Sequence, residues 1–276
     1  METLVPDLSG VEISILLPTR GRTDALQRSV MSLIDRAAQP QHIELLLAFD
    51  DDDRDTSLWF QDNLAPQITK GGAKFTSWEF ARLGYIRLNE YVNFLAGQSQ
   101  ARWLMFWNDD AIMETQSWDS RIREVEEFAV LRMPTHREHP YAIFPILPRA
   151  WYTMFGYVSA HQISDAWVSQ IAYLLDIMHN IDVKVIHDRH DLTGNNLDAT
   201  YQQRPMLEGN PKHPLDFNHV SWRKQRMDDA GRICEFLESQ GRSMSWFRSV
   251  IARTQDPWAK MRSKEYDPNK QLTVYK

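Results

Sequence analysis

Ile13, Ile15 and Leu17 alternate with Ser14 and Leu16, a period of two that predicts a buried strand over residues 11–17. Pro18-Thr19-Arg20-Gly21-Arg22 breaks that pattern and predicts a turn. The period then changes. Leu26, Val30, Leu33 and Ile34 recur at helical spacing, with Thr23 or Asp24 placed to cap the helix and Pro40 to end the unit. A second apolar strand, 43–49, runs straight into Asp50-Asp51-Asp52-Asp53. Strand, helix and strand in so short a span predict a βαβ unit with parallel strands.

Further along, the pattern predicts a helix around 56–63 and a loop carrying Gly71-Gly72. A helix over 84–96 follows, with Ile86, Val92 and Leu95 facing inward and Gly97 closing it. A third strand, 103–107, delivers Asn108-Asp109-Asp110. Then come a polar amphipathic helix over 117–128, a strand over 141–147 and a long helix over 164–178. Asp165 falls in that helix's first turn, where a carboxylate suits the helix dipole. A short strand, 183–186, leads to His187. Over 188–218 periodicity stops, and a loop of that length reads as a functional lid or as disorder. Two helices finish the chain, one over 227–237 with Met227, Ala230, Cys234 and Leu237 on one face, the other over 245–252. The expected fold class is α/β, a mostly parallel central sheet flanked by helices. The catalytic domain spans residues 1–219 and a basic, Trp-containing helical extension spans 220–276.

Composition narrows the class. The 276 residues are 43% hydrophobic and 25% charged, ordinary globular usage that excludes a wholly disordered chain. A lone cysteine, Cys234, cannot form an internal disulfide and favours a reducing compartment. The apolar runs are strand-length, far short of the ~20 residues of a membrane span. No basic region followed by an apolar stretch marks the N-terminus. The reading is a soluble, cytoplasmic protein without a membrane partner. Charge is uneven: residues 220–276 hold 12 Lys and Arg against 7 Asp and Glu, whereas residues 1–219 hold 19 against 30. Trp222, Trp246 and Trp258 lie among Arg223, Lys224, Arg226, Arg248, Arg253 and Lys260. Basic residues interleaved with aromatics suit a polyanion such as DNA. Amphipathic helices with inward-facing tryptophans explain the same letters.

The candidate chemistry lies where strands end. In open α/β sheets ligands sit outside the carboxyl ends of the strands. Two strands here end in acids, Asp50-Asp51 and Asp109-Asp110, while Asp52 and Asp53 read as loop and helix caps. Two such clusters at one sheet edge repel unless a cation or a donor-rich ligand lies between them, and a hard divalent cation fits that demand.

The ordered series of these segments resembles the GT-A-type nucleotide-sugar glycosyltransferases, particularly the large inverting group called family two. Residues 13–20 look like the opening strand and nucleotide-contacting turn, and residues 45–51 like the second strand with its base-reading acids. Leu88-Asn89, Ala96-Gly97 and residues 103–110 look like the family's Arg-Asn, helix, Gly, strand and Asp-x-Asp series. Ser164-Asp165 looks like its Glu-Asp pair. The sequence departs from the family at Asn108, Leu88 and Ser164, where the family has Asp, often Arg, and Glu. The match covers roughly residues 11–190.

The resemblance implies roles. Asp165 is the catalytic base. Asp110 and His187 hold a divalent cation, Mn²⁺ or Mg²⁺. Thr19, Arg20, Arg22, Asp50, Asp51, Asn89, Asn108 and Asp109 bind a nucleotide-diphosphate sugar, a UDP-sugar being favoured; Arg20 and Arg22 suit the diphosphate. His190 is a weaker metal candidate, and His161 could lie near the acceptor. The function implied is metal-dependent, inverting transfer of a sugar to an acceptor hydroxyl. The basic tail raises a hydroxymethylated base in DNA as acceptor, as for some phage glycosyltransferases. The alternatives are a metal-dependent phosphodiesterase or nuclease, and a non-catalytic nucleotide-sugar-binding module.

Overall fold

Seven strands form one sheet in the order β3-β2-β1-β4-β7-β6-β8, built outward from the βαβ unit read in the sequence. The computed structural model describes residues 10–135, 139, 141–188, 211–254 and 257–258. β1 (Ile13–Pro18) lies between β2 (Ile43–Asp50) and β4 (Trp103–Phe106), parallel to both. α1 (Thr23–Arg36) makes the first crossover. α2 (Arg54–Trp59) and α3 (Ala65–Lys70), joined by a π turn at Phe60–Leu64, make the second and lead to β3 (Lys74–Phe80), parallel to β2. α4 (Leu88–Gln98) returns the chain to β4.

Beyond β4 the elements shorten: β5 (Ala111–Met113), α5 (Trp118–Arg123), β6 (Val130–Arg132) and β7 (Ile146–Pro148). β7 runs antiparallel to β4 and to β6. α6 (Arg149–Phe155) and α7 (Ser164–Leu175) precede β8 (Met178–Asn180), which pairs in parallel with β6. β9 (Val185–His187) pairs antiparallel with β5, apart from the main sheet. α8 (Val220–Ser239) and α9 (Ser245–Arg253) follow.

The period-two pattern of β1 is the sheet's two faces. Ile13, Ile15 and Leu17 join α1, α2 and α3 in one core, while Leu16 joins α4, α7, α8 and α9 in the other. Ala230, Ile233, Cys234 and Leu237 of α8 share that second core with Trp167, Ile171 and Leu174 of α7. The described part of the extension is therefore continuous with the domain it follows.

Several expectations change. No strand is predicted between the Gly71-Gly72 loop and the helix at 84–96, yet β3's seven residues form a half-exposed edge strand in which Lys74, Thr76, Ser77 and Glu79 dilute the apolar signal. Gly97 does not close α4 but lies inside it, where a Cβ would stand 2.6 Å from Tyr152 Oη; the glycine serves a close approach. Ile86 lies in a short 3₁₀ turn and is 44% exposed. α1 has Arg22 at its N-cap position and no side-chain cap, so neither Thr23 nor Asp24 fills that role. α5 and β7 are shorter than read. α7 ends at Leu175, where Asp176 turns left-handed (φ 55°) and frees the chain to enter β8. The lid read over 188–218 falls mainly on residues 189–210, outside the described residues. Among the described residues no helix is long and apolar enough to cross a membrane.

One buried acid anchors the turn after α1. Asp119, fully buried, accepts from the backbone N–H of Ala38 (2.7 Å) and Gln39 (3.0 Å) and from Arg123 Nη2 (2.9 Å). Removing it strands two amide donors and a guanidinium. Asp119→Ala is expected to cost about 3 kcal/mol, read as a fall in thermal midpoint against Asp119→Asn, which retains one acceptor oxygen.

Candidate active site

β1, β2 and β4 run parallel, so the loops after Pro18, Asp50 and Phe106 gather at one sheet edge. A cleft of about 350 Å³ opens there. Its walls come from those loops, from Leu88 and Tyr91 of α4, from the start of α7 and from His187.

The turn between β1 and α1 supplies the cleft's cations. Gly21 has φ +64°, a left-handed turn that few other residues adopt, and flanking it are Arg20 and Arg22. Arg20 Nη1 donates to Asp50 Oδ2 (2.9 Å) and pairs with Asp52. The Gly21 N–H donates to Asp53 Oδ2 (2.7 Å). Arg22 turns the other way: Nη2 pairs with Asp109 Oδ1, Nε reaches Asp109 Oδ2 (3.3 Å), and Nη1 lies 3.6 Å from Asp110 Oδ2. Thr19 Oγ1 also donates to Asp109 Oδ2 (2.7 Å). The repulsion anticipated between the two acidic clusters is thus answered by two guanidiniums of the chain itself. Asp109 is 1% exposed and anchors Arg22.

α1 also fixes the strand end. Trp107 Nε1 donates to Ser29 Oγ (2.8 Å), and Ser29 Oγ donates to the Asn108 carbonyl (2.9 Å). Register does the rest. β5 pairs Ala111 with His187, and the Asp188 N–H donates to the Asp110 carbonyl (2.7 Å). His187, inside β9 rather than beyond a strand, therefore lies with Nε2 3.4 Å from Asp110 Oδ1, its ring edge-on to Phe144. Burial favours the neutral form of Asp110, but His187, by hydrogen bond and charge, and Arg22 outweigh it and hold the carboxyl below its ordinary pKa.

This pair fits a divalent ion in part. Among the described residues no group of three or more His, Cys, Asp and Glu side chains is arranged to hold one. A buried carboxylate and an imidazole facing one cleft are two suitable ligands for Mn²⁺ or Mg²⁺, whose sites commonly use one or two carboxylates and take the remainder from substrate phosphates and water.

On the opposite wall, Asp165 opens α7 and accepts from the Ala166 N–H (2.8 Å). Its helix start is pinned by His161, which is 1% exposed. His161 Nδ1 accepts from the Ile163 N–H (3.2 Å), Nε2 donates to the Leu215 carbonyl (3.1 Å), and the ring lies edge-on to Phe217 and Trp222. Burial pushes its pKa down to about 4.

The cleft gathers Thr19, Arg20, Arg22, Asp50, Asn108, Asp109, Asp110, Asp165 and His187. Two candidates lie outside its lining. Asp51 is exposed and accepts from the Arg82 N–H (3.3 Å). Asn89 Nδ2 donates to the Ser159 carbonyl (3.4 Å). His190 and Lys260 lie outside the described residues. Sequence reasoning missed Tyr91, whose hydroxyl donates to Asp50 Oδ1 and accepts from the Leu83 N–H (2.8 Å). Burial first, and then that bond to Asp50, push its pKa up to about 12. It reads in sequence as one more apolar position on α4.

The aromatics of the extension turn inward. Trp258 is 1% exposed, and Trp222 Nε1 donates to the Pro214 carbonyl (2.7 Å). Arg226, fully buried, lies 4.0 Å above the Phe217 ring and faces Trp167 and Trp258. Lys224 pairs with Asp228 and Arg248 with Glu238.

No protein-family model matches the sequence, and no curated protein matches it either. Solved structures match its shape. S. aureus TarS 1–349 in complex with UDP-GlcNAc superposes with a TM-score of 0.55 at 12% identity, over 96% of this chain and 79% of that one. The same protein in complex with UDP matches over 64% of this chain and 60% of that one, at 12% identity and a TM-score of 0.49. Mannosyltransferase PcManGT from Pyrobaculum calidifontis, in complex with GDP-Man and Mn²⁺, gives 0.48 at 10% identity, over 99% and 87%. The sheet order and the first of these matches show the GT-A-type α/β fold of nucleotide-sugar glycosyltransferases, as the sequence resemblance implied.

Folded His161 stays neutral well below the ordinary histidine pKa, so unfolding takes up a proton between about pH 6.5 and 4. Its contribution is complete above that window and is lost as pH falls through it, up to about 3 kcal/mol. His161→Gln is expected to flatten the fall in thermal midpoint between pH 7 and pH 4.5; an unchanged slope would assign the acid sensitivity elsewhere.

Proposed function

We propose that this protein is a metal-dependent inverting glycosyltransferase that moves a sugar from a nucleotide-diphosphate donor to an acceptor hydroxyl. The observation that carries the reading is the division of the cleft. Among the described residues four carboxylates line it, and Asp50, Asp109 and Asp110 are each engaged by an arginine. Asp165 stands apart, with no cation paired to it among the described residues. One such carboxylate on the acceptor side suits a single displacement, in which it takes the hydroxyl proton as oxygen attacks the anomeric carbon. Inversion follows from one displacement.

Position in the cleft supports the remaining roles. Asp50, oriented by Tyr91 and Arg20, offers acceptor oxygens to N–H groups on a base edge. Thr19 and Asn108 flank the ribose and phosphate path, and Arg20 and Arg22 carry charge that matches a diphosphate. A divalent ion held by Asp110 and His187 would supply Lewis-acid neutralisation of the leaving diphosphate. The TarS structure that shares the fold holds UDP-GlcNAc, which favours a UDP-sugar as donor. Residues 1–219 carry the chemistry, and α8 and α9, in the described part of 220–276, pack against α7. For the acceptor, a hydroxymethylated base in DNA rests on the net charge of residues 220–276. It is tested by transfer of labelled sugar to hydroxymethylated but not to unmodified DNA. Transfer to neither would leave another hydroxyl compound as acceptor. A two-ion phosphodiesterase is less favoured, because arginines occupy both acidic clusters.

UDP with Mn²⁺, at about 100 times its Kd, is expected to stabilise the protein by about 2.7 kcal/mol, seen as a higher thermal midpoint that Asp110→Ala abolishes. No response to any nucleoside diphosphate would contradict the reading. Asp165→Asn is expected to lower kcat by about 10²-fold or more while leaving the nucleotide-induced shift intact. Unchanged turnover would remove Asp165 from the chemistry.

A further inference from the structure

Asp110 divides its carboxylate between two basic groups: Oδ1 faces His187 Nε2 at 3.4 Å and Oδ2 faces Arg22 Nη1 at 3.6 Å. We propose that Arg22 acts as a built-in competitor of the divalent ion, making cation binding at Asp110 and His187 conditional on a bound diphosphate.

Arg22 already sets one positive charge between two negative ones, those of Asp109 and Asp110, before an ion arrives. The guanidinium is not free to withdraw. Its Nη2 and Nε hold Asp109, which is 1% exposed and also bound by Thr19, so moving the arginine away would break two contacts to a buried carboxylate. An ion seated on Asp110 and His187 therefore acquires a fixed positive neighbour on the same carboxylate. Both carboxylates are buried, so solvent and salt screen that repulsion poorly. The protein also brings few ligands to offset it, since no group of three is found among the described residues.

A diphosphate reverses the balance. Its oxygens would supply ligands that the described residues lack and would accept hydrogen bonds from the same guanidinium, so one anion would satisfy both cations. By linkage, the factor by which the diphosphate tightens ion binding is the factor by which the ion tightens diphosphate binding. The two would enter as a pair, and the free protein would hold little metal.

The test is titration of the full-length protein with Mn²⁺, free ion being read by electron paramagnetic resonance. It is run without added anion, with UDP and with inorganic pyrophosphate, each corrected by a protein-free titration for the complex that forms in solution. Wild type is expected to bind Mn²⁺ at least tenfold more tightly with either anion than without. Arg22→Gln is expected to bind Mn²⁺ alone at least tenfold more tightly than wild type, with most of the coupling gone. Arg22→Lys, which retains the charge, should stay weak, and Asp110→Ala should remove the site. Mn²⁺ binding by wild type that is indifferent to both anions would overturn the inference, and so would an Arg22→Gln protein that binds Mn²⁺ no better. If Arg22→Gln does not fold, Arg22→Met, which keeps the apolar stem without the charge, is titrated in its place on the same criterion. The inference rests on the transferase reading only for the UDP arm. Failure of UDP to bind would count against that reading, while pyrophosphate and the Arg22 variants would still decide the role of Arg22.

Discussion

Two guanidiniums from a single turn hold two acidic strand ends in one cleft, and the arrangement of the site depends on that clamp. Parallel strands bring Asp50 and Asp109-Asp110 to the same edge of the sheet, where burial makes their mutual repulsion expensive. Arg20 and Arg22 reach to different acidic clusters, and Gly21 between them turns left-handed, a conformation that a side chain there would strain. The clamp joins β1 to β2 on one side and to the loop after β4 on the other, so it is at once a structural fastening and the source of positive charge in the cleft.

The far wall is held by different means. Asp165 owes its place to the start of α7, and that start is tied by His161 to Leu215, the His161 ring lying edge-on to Phe217 and Trp222. Deeper along α7, Trp167 Nε1 donates to Asp229 Oδ2 of α8 (3.2 Å), and Asp229 Oδ1 also accepts from Tyr157 (2.7 Å). Burial raises the pKa of Asp229 despite those three donors, Gln225 being the third. The tryptophans of the basic extension are spent on this packing, so the segment that looked in sequence like a polyanion-binding tail builds, in its described part, the support behind the proposed base.

The central fold was legible because β1, β2 and β4 are buried on both faces and read as short apolar runs, and because α1 has one clean apolar stripe. β3 was not legible, since an edge strand needs no such pattern. Nor was the length of α8, whose polar face outweighs its buried one in any window. At the cleft, Asp50, Asp110, Asp165 and His187 were legible as candidates because each lies at or beside the end of an element. Asp51 and Asn89 looked equivalent to their neighbours, yet one step along a strand or helix turns a side chain away from the cleft. The contact between Asp110 and His187 joins residues far apart in sequence through the short β5–β9 pairing, and neither strand carries a signal that predicts its partner. Arg20 and Arg22 were expected to serve a diphosphate; that they already serve the aspartates needed the three-dimensional arrangement.

The most direct measurement is a crystal structure of the protein with UDP and Mn²⁺. The account predicts the diphosphate within hydrogen-bonding distance of Arg22, the ion on Asp110 and His187, and the base edge at Asp50 beside Tyr91. A nucleotide bound away from this cleft, or lying in it with base and diphosphate exchanged, would contradict the assignment of the two arginine–aspartate clusters on which the proposed chemistry depends.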